Sequence, residues 1–249
     1  LFRDALSHRG IDNSSAALAR EWLALTLCNI AGNSDPAAAS QMLDQAYSLF
    51  GENSSGYAGS PYDCQITFPH VTGMIALARS RLVSGERRTE FLNTSIILLR
   101  ASLDSPGSRK SGMRRVVTIA ALGEALCMAA ADDAGANQAR LYWEAGMALS
   151  EAETVFTRDV SFDRWLELHY LLGVSVSRFG AIANDSDRLE HGIGVLEEVI
   201  EACGDTHPSL GVKARIELCA ARARNANVDS LRDMVAELDA ISSTDGIAP

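Results

Sequence analysis

The feature that most constrains this chain is the spacing of its apolar residues. Nearly every long segment places Leu, Ile, Val or Ala at intervals of three and four, the period of one helix face. The stretch "LEEVIEACGDTHPSLGVKARIELCAA" shows the unit: an amphipathic run, a turn marked by Gly204 and Pro208, then a second run. No segment alternates strictly as a half-buried strand does, and no strand–helix–strand spacing occurs. The spacing predicts helices over 15–31, 36–50, 69–84, 87–103, 113–131, 137–156, 162–183, 186–203, 209–225 and 228–241. Taken in order these make hairpins of roughly 40–50 residues, the size of helical solenoid units. A lone hairpin cannot bury its apolar face, so neighbours must stack. The expected fold is all-α: a right-handed solenoid of about five helical hairpins, forming one domain over 1–249. Weak internal boundaries are expected at 51–66 and 104–112, where "GENSSGYAGSPYD" and "DSPGSRKSG" interrupt the pattern.

Aromatic residues are only 6% of the chain, so the core must come from Ala, Leu, Val and Ile, with helices meeting closely through small side chains. Asp35 is placed to cap the helix that opens with Pro36, where the missing N–H costs nothing. The acidic clusters "ADDAG" and "NDSD" lie at helix ends and lack the further ligand of an acidic metal motif, so capping is their expected role.

A net charge of −10 opposes non-specific nucleic-acid binding, which needs a basic field. The longest apolar stretch, 116–131, is interrupted by Glu124 and is shorter than a bilayer span, so no membrane partner is expected. The five cysteines are odd in number and contain no CxxC, which suits free thiols in a reducing cytoplasm. No signal peptide is recognisable, and a start at Leu1 without Met suits a piece of a longer or processed protein.

Chemistry-bearing motifs are absent from the sequence. There is no GxxxxGK[ST], no GxGxxG after a strand and no HExxH. The histidines at 8, 70, 169, 191 and 207 are scattered; His191 is expected to pair at the surface with Asp187 or Glu190. Cys64 and His70 share one segment, but a reactive thiol needs a depressed pKa that nothing in the sequence supplies. Glu151 and Glu153 point to different faces of one helix. No catalytic residue, metal ligand or cofactor is therefore expected. The cluster Arg109, Lys110, Arg114 and Arg115 opens a helix, where cations oppose the macrodipole, and is a candidate patch for an acidic partner.

The segment 171–208 resembles a tetratricopeptide-type repeat, and more narrowly the longer repeats beside CHAT-type protease domains and in NTPase-coupled sensors. The matching features are Leu172-Gly173, Arg178-Phe179, Ile193, "LEEVIEA" and His207-Pro208; "ALGEAL" at 121–126 repeats the Leu-Gly pair. Gly173 is expected at a close crossing. Gly192 departs from the pattern and, with Gly194, is expected to weaken its helix by roughly 1 kcal/mol each. The resemblance implies a non-enzymatic scaffold that holds a protein or peptide partner, with a regulatory or sensor segment of a larger signalling protein as the alternative and a helical enzyme third. Its groove positions fall on Glu167, Tyr170, Val174, Ser177 and Arg178, and in the earlier unit on Val117, Ala120, Glu124, Cys127 and Met128.

Overall fold

A computed structural model of the chain describes residues 13–51, 61–105 and 112–223. Every regular element among them is a helix: α1 (Asn13–Ala31), α2 (Pro36–Gly51), α3 (Pro61–Ser80), α4 (Gly85–Asp104), α5 (Met113–Asp132), α6 (Gln138–Glu153), α7 (Phe162–Ala183), α8 (Ser186–Cys203) and α9 (Pro208–Arg222). They fall in two compact units, Leu1–Asp132 and Asp133–Pro249. In the first, α1 packs on α2, α3 on α4 and α4 on α5, with further contacts of α3 to α1, α2 and α5. In the second, α7 lies against α6 and α8, and α9 against α8 and α7. Contact to the next helix, and often to the next but one, is the pattern of stacked hairpins. The hairpin expected over 113–156 is divided between the units: α5 packs on α3 and α4, while α6 packs on α7. The last expected helix, 228–241, lies outside the described residues.

The boundaries follow local chemistry. Asp35 caps α2 as expected, its Oδ1 accepting from the amides of Ala37 and Ala38 at 3.1 and 3.0 Å. Asp185 caps α8 by accepting from Arg188 N at 3.1 Å. Asp133 does something else: its Oδ1 takes the Gly135 amide at 2.6 Å, closing a turn before α6. Asn184 ends α7 in the left-handed region, at φ 54°, and Gly204 ends α8 at φ 46°. Pro69 does not start a helix. It lies inside α3, which begins two turns earlier, and the Phe68 carbonyl accepts the Thr72 hydroxyl at 2.5 Å.

The core of the first unit is built on Leu43, Val71, Ile75 and small residues such as Ala24, Ala39 and Ala46. A polar thread crosses the same unit. Buried Glu21 of α1 takes the Arg114 guanidinium of α5 at 2.8 Å, and Thr118 of α5 meets His70 Nδ1 of α3 at 2.9 Å. The Thr118 hydroxyl donates to the Arg114 carbonyl, so it accepts from His70 Nδ1–H, which places a proton on Nδ1. Burial first, and the Arg114 charge second, push the His70 pKa down to about 4.

In the second unit α7 and α8 cross through glycine. A Cβ on Gly173 would stand 3.0 Å from Leu196 Cγ, one on Gly180 would stand 2.4 Å from Leu189 N, and one on Gly192 would stand 2.4 Å from Ser177 N. The three contacts step by four and then three residues along both helices, one antiparallel register. The expected close crossing at Gly173 is present, and Gly192 is a seat for the α7 backbone as well as a loss of helix propensity.

Candidate functional site

Helix α7 is the middle of the second unit, with α6 antiparallel on one flank and α8 on another. The register with α6 is fixed by Gly146 against Val176 and by Trp143 against Phe179, whose ring centroids lie 5.2 Å apart. Between α6 and α8 one strip of α7 stays uncovered. Its floor is Leu172, Val176 and Phe179, spaced four and three residues apart. The walls are Trp143, Met147 and Ser150 from α6 and Arg188 and His191 from α8. Together they enclose a groove of about 160 Å³. Trp143 is 37% exposed and Met147 57% exposed, large apolar surface left in water at the mouth.

A charged bar closes each end. At one end the Arg188 guanidinium lies 4.2 Å from the Trp143 ring centroid and 5.6 Å from that of Phe179, while Asp185 Oδ2 holds its Nε at 3.2 Å. At the other end His169 of α7 is gripped from both sides: Nδ1 meets Glu153 Oε1 of α6 at 2.9 Å, and Nε2 meets Glu198 Oε2 of α8 at 3.1 Å. Trp165 stacks on the imidazole at 4.7 Å, and Arg158 lies 5.5 Å over Trp165. Burial works against charging His169, but hydrogen bonds and charge from Glu153, then Glu198, outweigh it and raise the pKa above the usual imidazole value. An imidazolium donates from both nitrogens, which is what two flanking carboxylates require.

The groove is lined by residues other than those the resemblance named. Ser177, 2% exposed, is part of the Gly192 crossing, and Val174 is buried, so neither lines a groove. Tyr170 is half-buried against the Leu166, Val199 and Ala214 cluster. Glu167 is exposed and tied to Arg164 at 2.9 Å, and Arg178 is bound through Nε and Nη2 to Glu217 Oε2 of α9 at 3.1 and 2.8 Å. In the first unit Ala120 and Cys127 are buried, Val117 and Met128 are half-buried, and Glu124 pairs with Arg81. Of the basic cluster, Arg109 and Lys110 lie outside the described residues. Arg114 is paired with Glu21, and Arg115 is half-buried. His191 pairs with neither Asp187 nor Glu190 among the described residues and instead stands on the groove rim.

Cys28, Cys127, Cys203 and Cys219 are buried free thiols, and Cys64 lies where side chains are not described. Burial pushes the Cys28 thiol up to about 12, against any thiolate chemistry there. No described helix is long and apolar enough to cross a membrane. No family model, curated protein or solved structure matches this chain.

Proposed function

We propose that this chain is a helical-hairpin module that binds a segment of a partner polypeptide, and that the α6–α7–α8 groove of the second unit is the site. One observation carries the reading: Trp143 and Met147 stand exposed over a groove of about 160 Å³ floored by Leu172, Val176 and Phe179. A cavity near 150 Å³ with apolar walls holds one benzene-sized group. The groove is open at its mouth, so a side chain can enter while its backbone stays outside. Trp and Arg, both present at the mouth, are the residue types that most often anchor interfaces. The register of 171–208, similar to tetratricopeptide-type repeats, supports the same class of function.

The test compares two baits from the native source. Polypeptides retained by the parent chain and lost by Met147→Glu, an exposed position whose change spares the core, are the expected result. If the parent and Met147→Glu retain the same set, the groove is not the site and the proposal fails.

A further inference from the structure

We infer that the groove selects a polypeptide segment in which one ring-sized apolar side chain is followed or preceded by an Asp or Glu, and that Arg188 and His191 receive the acidic side chain. This rests on the polypeptide-binding reading and adds the chemistry of the partner. The first argument is position. Arg188 and His191 stand three residues apart on α8 and both line the groove, so they are neighbours on one helix face. The helix register puts them at the Trp143 half of it: Gly192 meets Ser177, and Trp143 meets Phe179. The Arg188 guanidinium lies 4.2 Å from the Trp143 ring centroid and 5.6 Å from that of Phe179, at the edge of the slot that takes the ring. Successive residues of an extended chain rise roughly 3.4 Å. The group that meets Arg188 therefore belongs to the residue beside the inserted one.

The second argument is the polar chemistry of the lining, which is one-sided. None of its residues is Asp or Glu, while Arg188, His191 and the Trp143 indole all carry N–H donors. Arg188 gives Nε to Asp185 Oδ2 at 3.2 Å, and its two Nη groups have no hydrogen-bond partner among the described residues. Its side chain is 43% exposed, so an anion can reach them from the mouth. The Trp143 ring holds the guanidinium through its π face and uses none of those N–H groups, which stay available to a carboxylate. His191 is exposed and has no hydrogen bond or ion pair among the described residues. An imidazole donates at least one N–H whether neutral or charged. Carboxylates stand at the opposite end, where Glu153 and Glu198 hold His169, so the acidic side chain belongs on the Trp143 side. The net charge of −10 does not decide the matter, because charges beyond about 8 Å are largely screened at physiological salt. Asp185 offsets part of the Arg188 charge, which limits the gain to that of one exposed ion pair.

The probes are dipeptides blocked at both ends, Glu-Phe and Phe-Glu, each with its uncharged Gln counterpart. They are titrated into the full chain while the three tryptophan indole N–H signals are followed by NMR, with Trp143 assigned through Trp143→Phe. In at least one order the Glu dipeptide is expected to shift the Trp143 signal and to bind roughly fivefold more tightly than its Gln counterpart, the worth of one exposed ion pair. The preference should fall towards one in Arg188→Gln/His191→Gln. Raising salt from 50 to 500 mM on the parent chain should do the same without any substitution. If both members of each pair shift the Trp143 signal with equal affinity, the charge inference is overturned and the groove reading stands. A preference that survives in the folded double variant also overturns it, because another cation then receives the acid. If no dipeptide moves the Trp143 signal, both fall.

Discussion

Gly192 and Gly194 sit two residues apart on α8, and the structure assigns opposite signs to the same substitution at each. An Ala Cβ at 192 would fall 2.4 Å from Ser177 N and 2.7 Å from its Cα, where ordinary contact begins at 3.4 Å. The obstacle is helix backbone, so α7 and α8 must part by about 1 Å. A gap of that order forfeits a quarter to a half of each contact's attraction. Leu189, Leu196 and Val199 lie on the same helix, all buried. Overpacking of this kind costs roughly 1–3 kcal/mol, while Gly→Ala in a helix returns about 1 kcal/mol of propensity. Gly192→Ala is therefore expected to be destabilising by roughly 1 kcal/mol. At 194 a Cβ meets nothing within 4 Å. Gly194→Ala keeps the propensity gain and should stabilise by about 0.5–1 kcal/mol. For a chain of this length each kcal/mol moves the melting temperature by roughly 2–4 °C. Thermal unfolding followed by circular dichroism at 222 nm should place Gly194→Ala above the parent and Gly192→Ala below it. If Gly192→Ala melts at or above Gly194→Ala, the α7–α8 crossing is not as described.

Two buried histidines should give the units opposite pH responses. The folded pKa of His169 is raised, so its contribution is full below about 6.5, the unfolded value, and is lost as pH rises through the folded pKa. His70 is depressed to about 4, so the neutral folded form loses stability as pH falls from about 6.5 to 4, by roughly 3 kcal/mol in all. Imidazole NMR titration should find His169 charging above pH 6.5 and His70 staying neutral, as the Nδ1–H tautomer, until near pH 4; the reverse order would refute both environments. Ser175 Oγ is buried without a hydrogen-bond partner among the described residues. Ser175→Ala should raise stability by about 1 kcal/mol in urea unfolding, and a loss of that size would mean that the hydroxyl is satisfied.

Much of the fold was legible because its signals are local. Apolar spacing located each described helix, Asp35-Pro36 marked the start of α2, and Gly204 and Pro208 marked the α8–α9 turn. What failed locally was Pro69, which reads as a helix start because proline fits the first turn at no cost. Inside α3 it forgoes one amide bond, and the same signal at Ser60-Pro61, where α3 begins, is hidden in a Gly- and Ser-rich run. The split at 132–133 had no signature either, since "ADDAG" looks like any short connection between neighbours.

The open strip differs from the positions the repeat pattern named for a different reason, and it lies in α7. Two strips of this helix are apolar or small: Leu166, Tyr170, Gly173, Ser177 and Gly180 form one, facing the Val199–Ala214 cluster and α8, and Leu172, Val176 and Phe179 form the other, facing the groove. A helix packed by three neighbours is apolar nearly all round, so its periodicity no longer singles out one face. The sequence then says which residues share a strip but not which strip is left open; that depends on how far apart α6 and α8 stand. Offsets carried from a repeat pattern chose 170, 174 and 177, on the strip that α8 and α9 close. The usable signal was on α6 instead. Trp143 and Met147 stand one turn apart on a helix whose other large outward residues are Arg140, Glu144 and Glu151, and a burial argument for that helix alone cannot place both inside. Two large apolar side chains on the charged side of a short helix mark the wall of an open groove more directly than the apolar floor beneath them does.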